Sequence, residues 1–170
     1  VIDAAMTDGS ALLMSIFNTL HAQNRWTNKP GENILDSGAH FYEVYETSDQ
    51  KYISIGAIEP QFYAIVIEKL GLNITEYQDY MNPQNWEKYK IKFEEIIKTK
   101  TQNEWCEIFK DTDACVAPVL DFIEAQSHPH NEARKTYFTQ NKIKQPSPAP
   151  RFSKTPSEVL TQEIVDIDDL

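Results

Sequence analysis

The residue with the clearest chemical opportunity is Glu59, in the run Lys51-Tyr-Ile-Ser-Ile-Gly-Ala-Ile-Glu-Pro-Gln-Phe-Tyr63. Ile53, Ile55 and Ala57 alternate with Tyr52, Ser54 and Gly56, the period of a strand with one face turned to a core. Pro60 ends that pattern, because it holds the preceding residue extended and suits the first turn of a helix running to about Leu70. Glu59 therefore stands where a strand stops and a helix begins. Free backbone N–H groups and the helix dipole favour a carboxylate there, and a strand end holds it more rigidly than a loop. Such a group can act as a general base. Spacing alone favours a simpler role, a negative charge that complements a helix N-terminus.

Other candidates carry less. His128-Pro129-His130 beside Glu132 has a metal-like look but lacks a third spaced ligand, and reads as a capped surface turn. His21 reads as a cation beside a helix C-terminus. Cys106 and Cys115 are too few for a disulfide framework and point to a reducing intracellular compartment. No glycine-rich phosphate loop, Cys-x-x-Cys motif or internal repeat is present, and none of the four histidines sits in a nucleophile setting.

The elements that must position Glu59 follow from periodicity. Asp3 is placed as the cap of a helix over 4–23 with an apolar stripe of Leu12, Leu13, Ile16, Phe17 and Leu20, and Gln23 to Gly38 as a long polar connection. Phe41–Thr47 and Lys51–Ala57 pair as a hairpin across Ser48-Asp49-Gln50. The helix after Pro60 turns Phe62, Ile65, Val66 and Leu70 inward and closes at Gly71. Asn82-Pro83 opens a helix to about Lys100 with Trp86, Tyr89, Phe93, Ile96 and Ile97 on one side. Thr101 and Glu104 form a capping box for a short helix that buries Trp105, Ile108 and Phe109. Ala114–Val119 reads as a buried strand, placed at an edge by Pro118, and a helix at 121–126 follows. A last strand is placed at 137–143, then a polyproline-like stretch at 146–150, then a polar arm ending in the acidic run Asp166–Asp169.

The predicted architecture is α/β in the broad α+β sense. A small mixed or antiparallel sheet, built from 41–47, 51–57, 114–119 and 137–143, is covered by helices at 60–70, 83–100 and 102–110. The predicted divisions are an N-terminal helix and loop over 1–38, a small α/β domain over 39–152 and a C-terminal arm over 153–170. With 170 residues and 41% hydrophobic content the chain can bury a core. A formal net charge of −10 argues against nucleic acid as partner. It also disfavours any polyanionic ligand unless cations are local or supplied from elsewhere in the protein. No apolar run reaches membrane-spanning length and no signal peptide is visible. The chain opens on Val1-Ile2-Asp3 without an initiator methionine, and is expected to be a segment of a longer protein.

Three blocks in order carry a resemblance: Asn33-Ile-Leu-Asp-Ser-Gly-Ala39, Gly56-Ala-Ile-Glu-Pro-Gln-Phe-Tyr63 and Thr112-Asp-Ala-Cys-Val-Ala-Pro-Val-Leu120. Together they resemble the later part of the α-methylacyl-CoA racemases in the family III CoA-transferase superfamily, from Val1 to about Ser153. The resemblance implies proton abstraction and return at the α-carbon of a 2-methyl-branched acyl-CoA, with Glu59 matching one catalytic base and no metal or redox cofactor. It implies Tyr42, Asp36 and Gly38 as substrate-binding positions, Tyr42 near the thioester. As a strand residue alone, Tyr42 reads as a half-buried tyrosine with its hydroxyl on water. The second base, a histidine held by an aspartate, belongs to a large domain whose motifs are absent from this chain. The implied assembly is an interlocked homodimer with each site shared between subunits, so that the segment alone is inactive. Peroxisomes or mitochondria are the implied compartments. Two departures stand out. Glycine is usual where Gln50 stands, and a glutamine at positive φ costs about 1 kcal/mol; proline is usual at His40, which receives no assignment. A CoA transferase moving CoA between acids, and a non-catalytic dimerisation domain, are the competing readings.

Overall fold

The computed structural model describes residues 1–159, and the acidic run Asp166–Asp169 lies outside them. The described residues form two compact units, Val1–Val119 and the residues from Leu120 onward.

In the first unit, β1 (Tyr42–Glu46) and β2 (Tyr52–Gly56) pair antiparallel with Tyr42 opposite Gly56. The turn between them places Gln50 at φ 62°, the strained conformation that glycine adopts more easily. β3 (Val116–Val119) lies antiparallel on the other side of β2, giving the order β1-β2-β3. Pro118 thus occupies an edge strand, where its missing N–H breaks no central ladder.

Ile53, Ile55 and Ala57 are buried as the alternation requires. Residues of α3 (Pro60–Lys69), α4 (Pro83–Ile97) and α5 (Gln102–Phe109) complete the same apolar core. α4 buries Trp86, Tyr89, Phe93 and Ile97, and α5 buries Trp105 and Phe109 beneath the expected Thr101–Glu104 capping box. Gln102 is buried too, its amide donating to the carbonyls of Tyr52 and Val119 at 2.7 and 3.0 Å, which ties α5 to both strands. On α3 the deepest residues are Tyr63, Val66 and Ile67; Phe62 and Ile65, expected inward, are only half-buried. Val66 and Leu70 are buried as expected, and the Tyr63 hydroxyl has a partner inside the core.

That partner is His40, fully buried, with Nε2 2.9 Å from the Tyr63 hydroxyl. The rings of Phe41, Tyr63, Tyr89 and Phe93 stand edge-on to it at 5.0 to 5.6 Å. Burial, with the nearby Lys90 cation adding to it, pushes the imidazole down to about 3 and keeps it neutral.

The N-terminal segment departs from expectation. The single helix placed at 4–23 is two, α1 (Met6–Leu13) and α2 (Ser15–Ala22), broken at Met14. The Ser15 hydroxyl donates to Leu12 O at 2.6 Å, a local side-chain bond to the last turn of α1 of the kind that bends helices. Ala5, not Asp3, holds the cap position, and neither helix buries a residue; only Phe17 finds a ring, packing edge-on to Trp26 at 4.8 Å.

In the second unit, the strand placed at 137–143 does not join the main sheet. β4 (Tyr137–Gln140) pairs with β5 (Ile143–Pro146) in a separate two-stranded hairpin. Asn141 and Lys142 at its tip both have positive φ, the geometry of a tight two-residue turn, so local pairing takes the strand. β5 also takes the start of the expected polyproline stretch. The helix placed at 121–126 forms as α6 (Glu124–Ser127), and the His128–Glu132 region forms the short helix α7 (Pro129–Ala133) rather than a turn.

His40 makes folding acid-sensitive. The unfolded chain takes a proton near pH 6.5 and the folded chain only near 3, so stability present above 6.5 is lost as pH falls through this window. Urea unfolding is expected to show a loss of about 2 kcal/mol from this group between pH 7 and pH 5, absent in His40→Leu.

Candidate active site

Glu59 occupies the N-cap position of α3 with extended backbone, φ −76° and ψ 143°. Its carbonyl accepts from Phe62 and Tyr63 N–H at 3.1 and 3.0 Å, which starts the helix. Its carboxylate makes no capping hydrogen bond, and the residue is exposed. The carboxylate is therefore not consumed by the helix it precedes. Its charge is felt nearby. Burial raises the Tyr80 hydroxyl above the usual phenol range and the Glu59 charge raises it further; the Cys115 thiol is raised by burial, then by Asp113 and Glu59.

Tyr42, at the start of β1, shows 38% of its surface on the outer face of the sheet. It borders a groove of about 350 Å³, together with Leu35, Ser37, Val44, Gly56 and Cys115. The groove reaches the end of β2, three residues before Glu59. Glycine at 56 is not demanded by crowding: an added methyl would make ordinary contacts, 3.8 Å from Cys115 O and 3.9 Å from Tyr42 Cε2.

The loop before β1 is built around Asn33, which is buried. Its side-chain oxygen accepts from Thr27 N–H at 2.7 Å, and its amide donates to Asp36 Oδ2 at 2.6 Å while its backbone N–H donates to Asp36 Oδ1 at 2.7 Å. Burial pushes the Asp36 carboxyl up, but hydrogen bonds from the Asn33 side chain and the backbone of Asn33, Gly31 and Gly38 outweigh it and hold it below the usual carboxylate range. Asp36 thus spends both oxygens within its own loop, while neighbouring Leu35 and Ser37 face the groove. Gly38 is sterically required, since a methyl there would lie 2.4 Å from Asn33 O. Lys90 of α4 pins this loop to β1, donating to Ser37 O and to Glu43 at 2.8 Å.

The groove thus gathers Tyr42 but neither Asp36 nor Gly38, whose loop reaches it only through Leu35 and Ser37, while Gly38 lines a separate cavity with Gly31, Glu32, Pro83, Trp86 and Glu87; Glu59 is not among the groove's lining residues, but its charge reaches Cys115 there. Sequence reasoning missed Asn33, Lys90, Tyr80 and Cys115. None breaks a periodicity, and Cys115, at φ 52°, is marked only by its backbone. Among the described residues no group of three His, Cys, Asp or Glu is placed to hold a metal, and no helix is long and apolar enough to cross a membrane.

A family model described as CoA-transferase family III matches residues 1–163. The chain belongs to CoA-transferase family III. Within that family it is 44% identical to a mouse alpha-methylacyl-CoA racemase over 158 residues, 92% of this chain and 42% of the relative. It is 42% identical to the human protein of that name, over 92% of this chain and 41% of the relative. A CaiB/baiF CoA-transferase family protein of Caenorhabditis elegans is 32% identical over 87% of this chain and 42% of its own length. The chain thus spans about two fifths of the curated relatives it matches. The crystal structure of Rv3272 from M. tuberculosis, orthorhombic form, shares the fold, with a TM-score of 0.68 at 15% identity over 94% of this chain and 43% of that one. The mixed α and β architecture is thus that of a family III CoA-transferase segment.

The two glycines separate packing from opportunity. Gly38→Ala is expected to cost about 2 kcal/mol or more, through the clash with Asn33, whereas Gly56→Ala stays within about 0.5 kcal/mol of the parent in urea unfolding.

Proposed function

We propose that the full-length protein interconverts (R)- and (S)-2-methylacyl-CoA thioesters, with Glu59 as one of two bases. The observation that carries this reading is the Glu59 carboxylate itself, exposed three residues past the end of β2 and left unused by the helix it precedes. The names of the mouse and human relatives support the substrate class.

Inverting the carbon next to a thioester carbonyl requires one base on each face, each within hydrogen-bond reach, and donors near the carbonyl oxygen to stabilise the enolate. On this reading Glu59 removes or returns the proton on one face. A histidine held by an aspartate, outside this chain, serves the other. Tyr42 lies at the thioester end and the loop of Asp36 and Gly38 borders the ligand. The large domain of a second copy closes the site, so the working unit is a homodimer. A proton leaves and a proton returns with no net electron transfer, so the reaction has no use for a redox cofactor, and with two bases and hydrogen-bond donors to the enolate the proposal includes no metal. Peroxisomes or mitochondria are the proposed compartments.

The test is α-proton exchange in heavy water with a branched acyl-CoA and the full-length protein. Deuterium uptake at the α-carbon without CoA exchange supports racemisation; CoA exchange between acids supports a transferase, and neither outcome supports an assembly domain. Glu59→Gln is expected to fold normally and lose exchange on one face. Racemisation retained within a fewfold of the parent overturns the assignment.

A further inference from the structure

The Glu59 side chain is useful as a base only if the backbone that carries it is held still, and the two sides of that backbone are held by different means. On the far side, the Glu59 carbonyl is locked by the first turn of α3. On the near side the β-ladder has already ended at Gly56, so the Ile58 carbonyl has no partner strand to bond. The Tyr80 hydroxyl donates to it at 3.0 Å. Tyr80 lies in the turn leading into α4, and its own position is over-determined. Its ring stacks on Tyr63 at 4.1 Å with 14° between planes, and its carbonyl accepts from Trp86 Nε1 at 2.8 Å. Tyr63 is in turn held by His40 at 2.9 Å.

We propose that Tyr80 is a positioning residue for the Glu59 base, orienting the Ile58–Glu59 peptide so that the carboxylate meets one face of the bound acyl group. The inference rests on Glu59 being a base. Removing one hydroxyl leaves the stack and the α4 contacts in place and frees only the peptide plane that aims the carboxylate. Small displacements of a reacting group are costly in rate, so the effect falls on turnover rather than on binding.

The experiment uses the full-length enzyme and measures α-deuterium exchange separately from the (R) and (S) substrates, with Tyr80→Phe, Glu59→Gln and Tyr89→Phe. Tyr89 is the matched control, because its hydroxyl also donates to a backbone carbonyl, that of Glu76, at 3.0 Å, away from Glu59. Tyr80→Phe is expected to lower kcat about tenfold for exchange on the face that Glu59→Gln abolishes, with KM and Tm close to the parent. Tyr89→Phe leaves both faces unchanged. Equal losses on both faces, or a Tyr80→Phe enzyme as fast as the parent while Glu59→Gln is dead on one face, overturn the positioning role alone. Full exchange in Glu59→Gln overturns the base assignment beneath it.

Discussion

A neutral imidazole buried against a phenol is the constraint on which this unit turns. His40 enters the core just before β1, and its ring sits among aromatic rings contributed by the adjacent Phe41, by α3 and by α4. An ionised imidazole could not remain there, because nothing in the cluster carries a compensating negative charge and Lys90 adds a positive one. The neutral ring, in contrast, joins the hairpin to α3 through Tyr63, and α3 to the turn before α4 through the Tyr63–Tyr80 stack. The Nδ1 atom is left without a partner, a cost of the order of a kilocalorie or more that the surrounding edge-on rings offset.

The outer face of the sheet obeys a different logic. Tyr42, Val44, Tyr52 and Val119 stand exposed there although strand residues of this kind usually seek cover. The loop before β1 is rigid for reasons internal to it: Asn33 and Asp36 satisfy each other, Gly38 admits their close approach, and Lys90 anchors the result. The groove is thus walled by a self-contained loop on one side and a strand on the other. Gly56 at the end of β2 lines it, and from there the chain passes through Ile58 to Glu59. Under the proposed function this asymmetry is sensible: a stiff scaffold presents a free carboxylate and an apolar edge, and the remaining half of the chemistry comes from elsewhere in the assembly.

Two features of the chain show local chemistry overriding longer-range pattern. The Ser15 hydroxyl bonds back to Leu12 where α1 ends, about two turns before the apolar stripe does, and the helices bury nothing within the described residues. The Asn141-Lys142 turn lets β4 close on its immediate neighbour instead of crossing to the main sheet. In both cases a short-range bond forms at less entropic cost than the distant contact that periodicity suggested.

What the sequence determined by itself was whatever depends on neighbours along the chain. Alternation placed β1 and β2 within a residue or two, Pro60 and Pro83 marked the starts of α3 and α4, and the Thr101–Glu104 box and the edge position of Pro118 were readable because each is a local rule. Glu59 was legible for the same reason, as a carboxylate wedged between a strand period and a proline. Tertiary structure alone decided the rest. That α3 buries Tyr63 rather than Phe62, that His40 is core and neutral, that Asp36 spends its charge on Asn33, and that Tyr80 reaches Ile58 from 22 residues away all follow from contacts between segments. No spacing rule encodes them, because the partner of each polar group is chosen by packing and not by position in the chain.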